Sequence, residues 1–159
     1  GTLITRYGLR RYNDSFAERN TNFFTVGPRV DYRALDWLTL TLTYLYERGL
    51  ADGHKDTQFA DDVSYYLHMV SAGTEVRINR QWDLGFTYIH RRKTFTSGLA
   101  GDTHVGRFDA THQGIAELRY HMSAAATVML SFQYGKRTST NALRDFQDSI
   151  LSIGGQYRF

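Results

Sequence analysis

His121 and Ser123 stand two apart in H-M-S, a spacing that puts both on one face of an extended strand. Such a pair does acyl transfer only if the imidazole reaches the hydroxyl and a third group orients it. No carboxylate follows at a matching position; the next acidic residue is Asp145, and Ser123 falls where a turn is expected. The chain therefore reads as non-enzymatic. A second cluster is acidic: Asp52, Asp56, Asp61 and Asp62 crowd one polar stretch with His54. Hard cations such as calcium take several carboxylate oxygens, but the spacing lacks the Gly and Glu positions of an EF-hand loop. A solvated acidic loop is expected, with no resident metal or cofactor. The third set is ionic and recurs at every second residue: Arg6, Arg10, Arg29, Arg33, Arg77, Arg91, Lys93, Arg119, Arg137 and Arg158, against Asp31, Glu47, Glu75 and Glu117. What those charges do depends on the elements that carry them.

Those elements are strands. Leu38, Leu40, Leu42, Tyr44 and Tyr46 alternate with Thr39, Thr41, Thr43, Leu45 and Glu47, a period of two that separates an apolar face from a polar one. The last ten residues repeat it, with Leu151, Ile153, Gly155, Tyr157 and Phe159 on one face. The same reading predicts strands over 2–12, 22–35, 38–49, 63–79, 82–95, 108–121, 125–137 and 150–159. Pro28 has no donor for a ladder, so a local irregularity is expected there. No helix or domain boundary is legible, and residues 1–159 read as one domain. Connections alternate long and short: polar stretches over 13–21, 50–62, 96–107 and 138–147, tight turns near 36–37, 80–81 and 123. In an up-and-down meander all long loops then lie at one end.

Alternation does not say which face points inward. An eight-stranded barrel holds little more than its own side chains. An apolar face rich in Leu, Phe and Tyr would overfill it, whereas the polar face intersperses Arg and Glu with Gly8, Gly27, Gly73, Gly85, Gly135 and Gly154. The apolar face is therefore expected outside. The predicted strands match the roughly 9–11 residues that cross a bilayer as a tilted strand. Trp37, Trp82 and Tyr120 fall at the short-turn end, and Tyr44, Tyr46, Tyr66, Tyr88 and Tyr134 towards the loop end, as two bilayer interfaces favour.

With 42% hydrophobic residues, 11 Tyr, 10 Phe and one Pro, the composition leans to β-structure. No Cys is present, which excludes disulfides and thiolate metal sites and suits an oxidising compartment. The net charge of +3 is too small to argue for nucleic acid.

The alternating closing strand with its terminal Phe159, the hairpin at 74–95 and the long-short loop asymmetry together resemble bacterial outer-membrane β-barrels, porin-like or small eight-stranded ones. The resemblance implies a transmembrane antiparallel up-and-down barrel of about eight strands in a Gram-negative outer membrane. It also implies lipid and lipopolysaccharide as neighbours, and Tyr157 and Phe159 as the signal read by the barrel-assembly machinery. Two functions stay open. One is a porin-like channel or transport component with an Arg-rich, anion-preferring lumen, as part of a larger barrel or an oligomer. The other is a small closed barrel serving as anchor, adhesin or lipopolysaccharide-binding surface protein through its loops.

Overall fold

The computed structural model describes residues 1–54 and 61–158. Eight strands form one antiparallel sheet in chain order: β1 (Thr2–Arg10), β2 (Thr21–Leu35), β3 (Leu38–Ala51), β4 (Tyr65–Arg77), β5 (Trp82–Phe95), β6 (Phe108–His121), β7 (Ala126–Ser139) and β8 (Phe146–Tyr157). Each strand pairs with its sequence neighbours, and β1 and β8 do not pair with each other among the described residues. The up-and-down order of eight antiparallel strands is as expected, and the sheet is not closed into a barrel among the described residues.

The register fixes the faces. Arg6 lies opposite Thr25, Thr25 opposite Glu47 and Glu47 opposite Leu67, so all four point one way. On that face side chains meet across an intervening strand: Arg6 of β1 reaches Glu47 of β3, and Arg119 of β6 reaches Glu75 of β4, each at 3.3 Å. The sheet therefore curls towards its polar side. The other face leaves its apolar side chains in the open, with Leu3 69%, Leu151 71% and Ile153 78% exposed. Soluble domains seldom leave so continuous an apolar face uncovered.

Strand ends shift by a few residues. β1 stops at Arg10, and the following loop makes a 3₁₀ turn, Asp14–Arg19. β4 is shorter than predicted because the Asn79 side chain accepts the amides of Gln81 and Trp82 at 2.8 and 3.0 Å, which builds the turn. β8 begins early: Phe146 pairs with Arg137 and Gln147 with Lys136, leaving a fourth loop of residues 140–145 with a second 3₁₀ turn, Ala142–Arg144. At Pro28 the β2–β3 ladder is interrupted between Val26↔Tyr46 and Arg29↔Thr43 without losing register; the register shift lies instead between Arg33 and Leu35, at the turn. Beside Pro28 the β3 backbone comes close: a Cβ on Gly27 would stand 1.9 Å from the Tyr44 carbonyl oxygen. Only glycine permits that approach.

Aromatic rings collect at both ends of the apolar face. Near the loops, the Tyr44 hydroxyl bonds His68 Nδ1 at 2.8 Å, the Tyr88 hydroxyl bonds His112 Nδ1 at 2.6 Å, and Tyr46 stacks on Tyr66. Near the short turns, Trp82 packs on Tyr120 with ring centroids 4.6 Å apart.

Candidate functional site

Every predicted inward charge lies on the concave face, in tiers from the short turns to the loops. At the turn end, Asp83 binds His121 at 2.8 Å and lies 3.9 Å from Arg77; Arg158 lines the same recess. Midway, Arg119 joins Glu117 at 2.9 Å and Glu75 at 3.3 Å, while Arg29 grips Asp31, which also accepts from the Thr41 hydroxyl at 2.8 Å. Arg33 pairs with Asp36 at the rim, and Arg91 donates to Gln113. Above them Glu47 is buried, accepting from Tyr65 at 2.6 Å, Thr25 at 2.7 Å and Arg6 at 3.3 Å.

The charge balance needs correction. Register also turns Asp83, Asp109 and Asp148 inward, together with Arg107, which lies opposite Phe95, so eleven cations face seven carboxylates rather than ten facing four. Sequence reading missed them because Asp83 and Asp109 sit one residue inside strand starts, Arg107 ended the polar stretch read over 96–107, and Asp148 fell between the stretch read over 138–147 and the strand read from 150. The surplus is smaller than expected and is concentrated near the loops. There Lys93 makes no ion pair among the described residues; its ammonium lies 3.9 Å from the Tyr65 ring centre and 4.5 Å from that of Phe95. A cavity of about 530 Å³ opens beside it, lined by Arg19, Lys93, Arg107, Arg137 and Arg144 and, among the described residues, by Asp61 and Asp109 as its carboxylates. Arg107 binds Asp109 through two bonds, at 3.0 and 2.7 Å, and Ser139 donates to the same carboxylate at 2.6 Å.

Three loops meet beside this cavity through three aspartates. Asp102 accepts from the Ser97 hydroxyl, from the Asp62 amide at 2.9 Å and from His104 at 2.9 Å. Asp62 accepts from the Ser64 amide and pairs with His54, both at 2.9 Å. Asp61 joins His104 at 2.9 Å and makes a short contact with Arg19 of the first loop. Burial pushes both the Asp62 and the Asp102 carboxyl up, but hydrogen bonds outweigh it: from Ser64 and then His54 for Asp62, from Ser97 and the amides of Asp62 and His104 for Asp102. Both end below the ordinary carboxylate value. Of the predicted acidic cluster, Asp52 ties the first loop only through its amide, at 2.8 Å from the Asn20 carbonyl, and Asp56 lies outside the described residues. Asp61, Asp102 and His104 approach within reach of one ion. Their facing oxygens already meet protein donors, which makes the group a hydrogen-bonded clamp.

A carboxylate whose pKa is lowered by folding stabilises the fold above its ordinary pKa of about 3.9 and loses that contribution as pH falls through its folded value. Acidification is therefore expected to loosen the second and third loops before the strands, read as hydrogen exchange at Asp62, Ser64 and His104 amides rising while β5 and β6 stay protected. At neutral pH, Asp102→Ala strands two amides and a hydroxyl and is expected to cost about 2 kcal/mol locally, read by the same exchange.

Tyr157, the last strand residue, pairs with Ala126 and shows on the apolar face; Phe159 lies outside the described residues. His121 and Ser123 do not meet: His121 bonds Asp83 and Thr127, while Ser123 Oγ accepts the Ala125 and Ala126 amides in the turn. Comparison with protein families, curated proteins and solved structures finds no match for this chain.

Proposed function

We propose that this sheet is a wall segment of an outer-membrane β-barrel in a Gram-negative bacterium, with the apolar face in lipid and the ionic face lining a water-filled, porin-like channel or transport path. One observation carries the reading: an eight-stranded sheet with exposed Leu, Phe and Tyr on one face and eleven inward cations on the other. Among the described residues no pairing joins β1 to β8, so both strands stand at sheet edges, where backbone groups favour further partners. Further strands, from another copy or a longer parent, would satisfy them and widen the interior beyond a packed core. Tyr157 and Phe159 would then serve as the assembly signal, and lipopolysaccharide would surround the loop end. The role is non-enzymatic in this reading.

A planar-bilayer recording of the refolded chain tests it. Steady openings with anion preference are expected, and that preference should fall when Arg91→Gln and Lys93→Gln are combined, since neither cation has a carboxylate partner among the described residues. A folded, inserted chain that never conducts would contradict the channel. It would move the function to the loops, where the cationic mouth cavity favours a surface-binding role.

A further inference from the structure

The apolar face carries its own charge pattern. On the outward side of all eight strands the register places no Asp or Glu. It does place cations, always at the loop end and always on odd-numbered strands. Arg48, Arg92 and Lys136 each stand three residues before the end of β3, β5 and β7. Arg11 follows β1 and donates to Asn22 on the same side at 3.2 Å. Arg48, Arg92 and Lys136 are exposed and form no ion pair among the described residues; Arg48 lies over the Tyr66 ring and Arg92 over Phe108. Strands are about 4.8 Å apart and the register steps successive members of this collar by two residues, so they lie roughly 12 Å apart.

Below two of these cations lies a groove. Phe86 and Tyr88 of β5 form one rail, Phe132 and Tyr134 of β7 the other, and Gly114 of β6 lies on the floor between them, in an apolar recess of about 530 Å³. A Cβ on Gly114 would meet nothing within 4 Å, so the glycine leaves real space. Arg92 and Lys136 flank its loop end, with His112 opposite Lys136 between them.

We infer that this is a binding site for a phosphate-bearing lipid, its phosphate held between Arg92 and Lys136 and one acyl chain lying along the groove. Charge and shape agree: cations without competing carboxylates where a headgroup sits, and an apolar channel where a chain descends. Arg48 and Arg11 extend the same chemistry to neighbouring headgroups. The inference rests on the membrane reading above.

Spin-label resonance of the refolded chain in phosphatidylcholine vesicles, doped with labelled phosphatidic acid or labelled phosphatidylcholine, reads the preference of protein-contacting lipid. A preference for phosphatidic acid of about fivefold or more is expected, weakening with salt. Arg92→Gln with Lys136→Gln should bring it close to unity, and Gly114→Val, which blocks the groove, should reduce it. The inward pair Arg33→Gln with Arg91→Gln should leave it intact. Immobilised lipid without any preference, or a preference untouched by the Arg92 and Lys136 changes, overturns the site while leaving the membrane reading standing. Absence of immobilised lipid of either kind overturns both.

Discussion

Replacing Gly27 by alanine is expected to abolish folding or lower stability by about 3 kcal/mol or more. The added Cβ would stand 1.9 Å from the Tyr44 carbonyl oxygen and 2.8 Å from its carbon. Those are backbone atoms, and a strand paired on both sides cannot rotate them away. Overpacking typically costs about 1–3 kcal/mol when side chains yield, and more when backbone must. The comparison is Gly114→Ala, whose Cβ enters open space on the outward face and should be close to neutral. Urea unfolding in detergent micelles, followed by intrinsic Trp fluorescence, separates the two. Equal behaviour would mean that β2 and β3 do not approach as described.

The second large effect is expected at Glu47. Glu47 is 8% exposed, and its carboxylate accepts from the buried Thr25 and Tyr65 hydroxyls as well as from Arg6. Glu47→Ala leaves those hydroxyls without their acceptor, each at about 1–3 kcal/mol, so a loss of about 3–4 kcal/mol is predicted. Arg6 contributes little to that sum, because its side chain is 62% exposed and water screens the pair. Glu47→Gln keeps one carbonyl acceptor and should cost about half as much. Tyr65→Phe combined with Glu47→Ala should recover part of the loss, since it removes one stranded donor together with its acceptor. If Glu47→Ala unfolds no more easily than the parent, the buried hub between β2, β3 and β4 is wrong.

Strand identity was legible because burial on one face writes a period of two into the chain, and Leu38 to Tyr44 shows it without interruption. The facing of Arg29, Glu75 or Arg119 followed directly. Boundaries were less legible. Asp83, Asp109 and Asp148 lie near strand ends, where alternation fades into loop composition, so their inward facing emerged only with the cross-strand register. The Asp102 clamp was hidden for a different reason: Asp62 and Asp102 are forty residues apart, and nothing local ties them. The outward cations were present in the alternation itself. Arg48, Arg92 and Lys136 each sit on the apolar phase of their strand, and equal spacing from the loop end was the signal that could have found them. Closure was not legible at all, because period-two patterns specify faces and leave the pairing of the first strand with the last unspecified.

The central claim is that the apolar face meets lipid and the ionic face meets water. The chain has no cysteine, so single cysteines can be placed and labelled cleanly. Leu42→Cys, Phe86→Cys and Leu151→Cys report the first face; Ser71→Cys, Thr87→Cys and Ser131→Cys report the second. With an environment-sensitive fluorophore in vesicles, the first three should be quenched by brominated lipid and shielded from iodide, and the second three the reverse. Neighbouring positions such as Phe86 and Thr87 should therefore give opposite results. Iodide quenching of both sets alike, with no response to brominated lipid, would contradict the account.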